Sequence, residues 1–211
     1  SLRGMYAIAI HDPIAGRLVL ARDPFGIKPL YYAETDLGFV FASEPAALIA
    51  AGLVTPKTRS AAIEELLQIQ YVTGRETAFD GIFQVLPGET LVVAGGRIVE
   101  RRVDQALPSE PPENWTEAEA MERLDAILTD SVSMHQRADV SYGMFLSGGI
   151  DSSALLALMA RLNERPVLAY TVGFDGDSVP DEREHARVVA QAVGAEHVEV
   201  AFSEADFWDL L

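Results

Sequence analysis

The stretch of this 211-residue chain best equipped for chemistry is Ser147-Gly148-Gly149-Ile150-Asp151-Ser152-Ser153. An apolar run, Val140 to Leu146, leads into it, and an apolar helical run, Ala154 to Leu162, leads out. Strand, glycine turn and helix in that order leave backbone N–H groups free to face a phosphate. Gly148 and Gly149 let a ligand approach the backbone, and Ser147, Ser152 and Ser153 add hydroxyl donors. Asp151 falls where the helix begins. A carboxylate there repels pyrophosphate unless a divalent cation lies between them, so Asp151 is assigned to Mg²⁺. The competing reading is a plain strand-to-helix turn, with Asp151 or a serine serving only as N-cap. The turn is not a Walker A loop, since no Lys follows a second glycine at the required spacing. Nor does it hold the G-x-G-x-x-G of a dinucleotide site.

The elements around the turn predict a parallel sheet. Thr116 to Glu119 has capping-box spacing and opens a helix to about Arg137, with Met121, Leu124, Ile127, Leu128 and Val132 on its apolar face. Val167 to Phe174 is a continuous apolar run, the mark of a buried parallel strand. Asp175 to Pro180 reads as a polar loop, Asp181 to Val193 as a helix ended by Gly194, and His197 to Phe202 as a third strand. Strand–helix–strand–helix–strand puts a ligand at the carboxyl ends of the strands.

The first half is different. Gly4 to His11 and Arg17 to Ala21 form a predicted hairpin, and Leu30 to Ala33 and Gly38 to Ala42 are strands. Between them, Arg22 to Tyr32 holds two prolines and a glycine within six residues and forms a rigid, irregular loop. Short helices follow at Pro45 to Ala51, capped by Ser43, and at Ser60 to Ile69, capped by Ser60. Phe79 to Gly88 is strand-like, and Glu89 to Val93 pairs with Arg97 to Val103 across Gly95-Gly96. Three prolines in Ala106 to Pro112 mark a linker. The expected organisation is a β-rich domain over 1–103, a linker over 104–115 and a parallel-sheet domain over 116–211.

Charge divides at the same place. Residues 1–103 carry 10 Lys and Arg against 11 Asp and Glu, whereas residues 104–211 carry 6 Arg, no Lys and 21 Asp and Glu. A surface of net −15 repels a phosphate backbone, so nucleic-acid binding is not expected. A triphosphate bound in the second half must rely on backbone N–H groups, a metal ion or cations from elsewhere. No apolar run approaches the roughly 20 residues of a membrane span. There is no cysteine, which excludes disulfides, thiolate metal sites and a cysteine nucleophile within these residues. A cytoplasmic setting fits.

Other candidate groups favour structural roles. Arg22, Asp23 and Lys28 could form a catalytic trio, but a salt-bridged, proline-stiffened loop fits them better. His11, His135, His185 and His197 lack zinc-ligand spacing. His185 and Glu182 read as helix-surface residues.

Tyr142-Gly143-Met144-Phe145-Leu146-Ser147-Gly148-Gly149-Ile150-Asp151-Ser152-Ser153 closely resembles the pyrophosphate loop of the ATP pyrophosphatases, above all that of the asparagine synthetases. Arg22 to Tyr32 looks like the signature late in class II glutamine amidotransferase domains. Phe41-Ala42-Ser43-Glu44, Leu86-Pro87-Gly88, Ala169 to Phe174 and His197-Val198-Glu199 match in the same order. The resemblance implies a β-rich Ntn-hydrolase-type partial domain (α+β) followed by a partial adenine-nucleotide α-hydrolase-like domain (α/β). It implies that Ser147, Gly148, Gly149, Asp151, Ser152 and Ser153 hold the β,γ-pyrophosphate of ATP, with Asp151 on Mg²⁺. It also implies that Phe145 and Val172 hold the adenine, largely through backbone. Phe145 stands where the family commonly has an aliphatic residue.

The reaction implied is adenylation of a carboxylate, normally that of aspartate, followed by amidation with ammonia from glutamine. A relative using another carboxylate, β-lactam-forming or peptide-modifying, is the alternative, as is a non-catalytic nucleotide-binding relative. The family's nucleophilic cysteine and glutamine-binding residues lie upstream of the match, and its lysine and glutamate for the acyl-adenylate lie beyond Leu211. The chain therefore reads as an inactive fragment with no catalytic residue of its own, and Ser1 as a fragment end. ATP, glutamine and aspartate or another carboxylate are the expected partners, with no nucleic acid or membrane. A homodimer is left open.

Overall fold

Two hydrophobic cores form, one in each half of the chain. The computed structural model describes residues 2–174 and 181–210. The chain divides into two compact units, Ser1–Pro111 and Pro112–Leu211. The loop expected at Asp175 to Pro180 lies outside the described residues.

In the first unit, β1 (Ala7–Asp12), β2 (Arg17–Arg22), β6 (Glu89–Ala94) and β7 (Arg97–Val103) make a four-stranded antiparallel sheet in the order β1-β2-β6-β7. Period-two alternation turns Glu89, Leu91 and Val93 inward on β6, and Leu91 pairs in register with Leu20 of β2. A second sheet orders β4 (Gly38–Ala42), β3 (Tyr31–Thr35) and β5 (Phe83–Gln84). Tyr32 stacks on Phe39, with ring centroids 5.4 Å apart, and packs with Leu20, Leu30, Val85 and Leu91. The strand expected across Phe79 to Gly88 shrinks to the two residues of β5, because only Phe83 and Gln84 meet β3.

Helices α1 (Pro45–Ala50) and α2 (Ser60–Ile69) form where expected, but with different caps. Glu44 and Arg59 hold the N-cap positions and neither makes a side-chain cap bond. Ser60 is already helical, and Gln70 closes α2 in the left-handed region.

The second unit begins with α3 (Glu117–His135), whose capping box is present: Glu119 N–H donates to Thr116 Oγ1 at 3.3 Å, and Thr116 N–H to Glu119 Oε2 at 2.8 Å. The parallel sheet has the order β10-β9-β8, from β8 (Gly143–Phe145), β9 (Leu168–Phe174) and β10 (Glu196–Phe202). Two crossover helices, α4 (Ile150–Leu162) and α5 (Arg183–Val193), join them. A last helix, α6 (Glu204–Asp209), has a capping box from Ser203 and Asp206 that the sequence reading passed over.

Three expectations for this unit need correction. The strand expected from Val140 starts only at Gly143, because its partner β9 starts at Leu168 and the earlier residues face no strand. The apolar face expected along all of α3 is buried only at its far end. Val132 is buried, while Met121, Leu124 and Ile127 are exposed, because α4 is 13 residues long and α3 is 19. The run through β9, expected to be buried throughout, is covered on one face only among the described residues of this unit. Ala169 and Thr171 face the helices and are buried, while Val172, Phe174 and Val200 on the other face are exposed.

Candidate functional site

The glycine turn lies at the carboxyl end of β8. Leu146 is buried, and its backbone N–H donates to Tyr170 O of β9 at 2.8 Å. Gly148 then takes φ +77°, a left-handed conformation that only glycine enters cheaply. A Cβ on Gly148 would lie 2.9 Å from His185 Cδ2 and 3.0 Å from Ala186 N, so the first turn of α5 backs directly onto this residue. Glycine is required here twice over, by dihedral and by space.

Gly149 is the N-cap of α4, which carries no side-chain cap. Neither Asp151 nor any serine fills that role, which removes the reading of the turn as a merely capped helix start. An uncapped helix start leaves its first N–H groups without intrahelical partners. The hydroxyls are arranged around them. Ser147 Oγ accepts from Gly149 N–H at 3.3 Å and sits 3.1 Å from Ser152 Oγ, which itself donates to Gly149 O at 3.1 Å. So the Gly149 N–H, expected to be bare, already has a long bond within the turn. Ser153 Oγ is buried and has no hydrogen-bond partner.

Asp151 is exposed in the first turn of α4, with no hydrogen bond or ion pair among the described residues. No cluster of three or more His, Cys, Asp or Glu able to hold a metal occurs among those residues. A single open carboxylate beside a cradle of N–H and hydroxyl donors suits Mg²⁺, which is commonly held by one or two carboxylates together with substrate phosphates. An orphaned buried hydroxyl and orphaned N–H groups suit the phosphates themselves.

Phe145 and Val172 fall on the open face of the sheet. Phe145 pairs with Tyr170, two residues before Val172, so all three side chains share that face. Phe145 is 79% exposed and Val172 41%. The turn residues Ser147, Gly148, Gly149, Asp151, Ser152 and Ser153 are contiguous, and Phe145 enters them directly; Val172 reaches them through β9.

Several neighbours escaped sequence reasoning. Thr171 Oγ1 donates to Leu146 O at 2.6 Å and lies 2.8 Å from His197 Nε2. Arg187 forks onto Glu199 at 2.7 and 2.8 Å, and that guanidinium holds the Glu199 carboxyl below the usual range. Asp181 pairs with Arg183 at the start of α5, and the Arg183 hydrogen bonds pull its pKa down to about 2. Arg183 lies against Gly173, where a Cβ would be only 2.1 Å from its Nε. His185, read from sequence as a surface residue, is exposed yet packs on Gly148. The i, i+4 spacing of Arg183 and Arg187 was the one legible signal, since it puts both on one side of α5.

The Arg22–Lys28 loop of the first unit is built on backbone contacts, not on the expected salt bridge. Asp23 is buried and accepts from Ile27 N–H at 3.0 Å, Lys28 N–H at 3.0 Å and Phe25 N–H at 3.2 Å. Burial raises its pKa, but the backbone donors, Lys28 and Ile27 foremost, outweigh this and hold it below the ordinary value. Arg22 donates to Lys28 O, Gly26 O and Val85 O at 2.8, 2.7 and 2.6 Å. The Arg22 and Asp23 side chains are thus engaged in holding the loop.

The two units correspond to two families. Residues 1–103 match the glutamine amidotransferase domain and residues 123–211 match asparagine synthase. Nearly the whole chain also aligns, in one piece, with individual proteins. A putative asparagine synthetase (glutamine-hydrolyzing) of Mycobacterium tuberculosis is 35% identical over 98% of this chain and 32% of its own length. Asparagine synthetase (glutamine-hydrolyzing) 1 of Bacillus subtilis is 31% identical over 100% of this chain and 33% of its own. The chain belongs to the asparagine synthetase family. It spans about a third of the length of these curated relatives. An amidase of Gibberella zeae, Amidase chry2, is 30% identical over 92% of this chain and 31% of its own length. Within this family, the glycine turn lies in the asparagine synthase match and the Arg22–Lys28 loop in the amidotransferase match.

Proposed function

We propose that the chain is part of a glutamine-dependent asparagine synthetase and that Ser147 to Ser153 bind the β,γ-pyrophosphate of ATP. The observation that carries this is the uncapped start of α4, with unpartnered N–H groups, the buried unpaired Ser153 hydroxyl and the open Asp151 carboxylate. Backbone N–H groups of Gly148 to Ser152 and the hydroxyls of Ser147, Ser152 and Ser153 orient the phosphates. Asp151 would hold Mg²⁺ there, and the ion would supply charge neutralisation for a departing pyrophosphate. Phe145 and Val172 form the adenine side of the site. Domains of Ntn-hydrolase type over 1–103 and adenine-nucleotide α-hydrolase type over 116–211, joined through 104–115, fit the antiparallel and parallel sheets.

In the whole protein, the carboxylate oxygen of aspartate attacks the α-phosphorus of ATP and pyrophosphate leaves. Ammonia from glutamine then attacks the acyl carbon and AMP leaves. No cysteine occurs in these 211 residues, so a cysteine nucleophile for releasing ammonia from glutamine is not among them. The amidase relative supports a second reading, in which the same activation serves a carboxylate other than aspartate.

Calorimetric titration of the chain with inorganic pyrophosphate, with and without Mg²⁺, tests the site. Wild type is expected to bind only in the presence of Mg²⁺, and Asp151→Asn to lose that dependence with an unchanged circular dichroism spectrum. Identical Mg²⁺-dependent binding by both proteins would remove Asp151 from the site.

A further inference from the structure

The Leu146 peptide is held at both ends, and the groups that hold its carbonyl run back to the helix that supports the turn. Leu146 O accepts from Thr171 Oγ1 at 2.6 Å. A threonine hydroxyl has one proton, and a carbonyl can only accept, so that proton is committed to Leu146. The 2.8 Å contact between Thr171 Oγ1 and His197 Nε2 therefore has the histidine donating. Nε2 of His197 carries a hydrogen in either charge state, and Thr171 passes on the orientation this imposes. Thr171 is 3% exposed and the His197 side chain 9%, so water is a poor substitute for either.

On its other side, His197 Nδ1 lies 3.6 Å from Glu199 Oε1, and Glu199 is forked by Arg187 of α5. The first turn of α5, at His185 and Ala186, touches Gly148. The path from Leu146 through Thr171, His197, Glu199 and Arg187 thus returns to the turn from below. In a planar trans peptide the C=O and the following N–H point in opposite directions. With Leu146 C=O fixed toward Thr171, the Ser147 N–H is directed the other way, and it makes no hydrogen bond among the described residues.

We propose that His197 is a positioning residue that, through Thr171, sets the Leu146–Ser147 peptide and so aims the first N–H donor of the turn at the anion. This rests on the pyrophosphate reading of the turn for its function, though not for its geometry.

The test uses the full chain. His197→Leu removes the donor, His197→Asn keeps a polar side chain too short to reach Thr171, and His197→Gln places an amide N–H near the position of Nε2. In ligand-free ¹⁵N spectra, the amide signals of Ser147 to Gly149 shift in the Leu and Asn variants and return toward wild type in the Gln variant. Affinity for pyrophosphate with Mg²⁺ falls roughly tenfold in the first two, about one hydrogen bond's worth, and recovers in the third. In a Thr171→Val background, His197→Leu has no further effect on affinity. Unmoved turn amides together with unchanged affinity in the Asn variant would overturn the proposal. If wild type binds no pyrophosphate while the turn amides still respond, the nucleotide reading fails and the positioning role stands.

Discussion

Replacing Gly148 with alanine probes the dihedral and the crowding of the turn in one substitution, and Gly194→Ala separates them. Both glycines are left-handed, at φ +77° and +70°. A Cβ on Gly194 meets nothing within 4 Å, whereas one on Gly148 meets His185 Cδ2 at 2.9 Å and Ala186 N at 3.0 Å. Gly194→Ala therefore carries only the left-handed strain, about 1–2 kcal/mol. Gly148→Ala carries the same strain and an overpacking cost of roughly 1–3 kcal/mol more. The exposed His185 ring can swing aside. Ala186 N cannot, because it donates to Glu182 O at 3.0 Å within the helix. The loss of unfolded-chain entropy is common to both variants and cancels in the comparison. Both tryptophans, Trp115 and Trp208, lie in the second unit, so urea unfolding followed by tryptophan fluorescence reports on that unit alone. The expected result is that Gly148→Ala is less stable than Gly194→Ala by at least about 1 kcal/mol at equal m-value. Equal losses, within about 0.5 kcal/mol, would refute the close packing of α5 on the turn.

Other consequences concern the first unit and the linker. Glu89 is fully buried, with Arg75 forked on it at 2.6 and 2.8 Å and Arg101 at 3.4 Å. Burial raises its pKa, but the Arg75 hydrogen bonds, the Leu86 N–H and the charge of Arg101 outweigh this and hold it below 4.5. Because the folded value is the lower one, its stabilisation is complete above about pH 4.5 and is lost as pH falls through the folded value. Hydrogen exchange of first-unit amides should show that acid loss, and Glu89→Gln should lose about 3–5 kcal/mol at pH 7 with a flatter acid response. Arg22→Lys replaces a fork serving three carbonyls with one ammonium. Leaving two of them unmet should lower first-unit stability by roughly 2–4 kcal/mol by thermal denaturation. Residues 104–116 are exposed and outside any helix or strand, so limited elastase digestion should cut there first, after Ala106, and leave two resistant fragments.

The sequence made the elements of the second unit legible where two independent signals coincided. Thr116 and Glu119 marked the start of α3, and Gly194 its counterpart at the end of α5, because capping chemistry is local and needs no knowledge of neighbours. Periodicity alone did less well. It identified the apolar face of α3 but not that α4 would cover only part of it. It extended β8 back to Val140, because an apolar run carries no mark of where a partner strand begins. In the first unit, Ser43 and Ser60 were attractive caps by type, yet the N-cap positions fall one residue away from each, at Glu44 and Arg59.

The site itself was legible in its donors and illegible in its support. Ser147, Gly148, Gly149 and Asp151 are consecutive or nearly so, and their types state a backbone cradle with a carboxylate beside it. What fixes that cradle comes from residues about 24 to 50 positions after Ser147: Thr171, His185 and His197. None of the three has a spacing signal, because Thr171 and His197 act across a parallel sheet whose register is set by side-chain alternation on all three strands, and His185 acts from a helix that the fold packs on the turn. A histidine two residues before Glu199 on a strand looks like an exposed charged edge. Only the pairing of Glu199 with Thr171 puts that face under α5 and turns His197 inward onto the threonine. A site made of backbone N–H groups binds anions only as well as its peptides are held, so the distant polar pair under the turn bears on its chemistry as directly as the glycines within it.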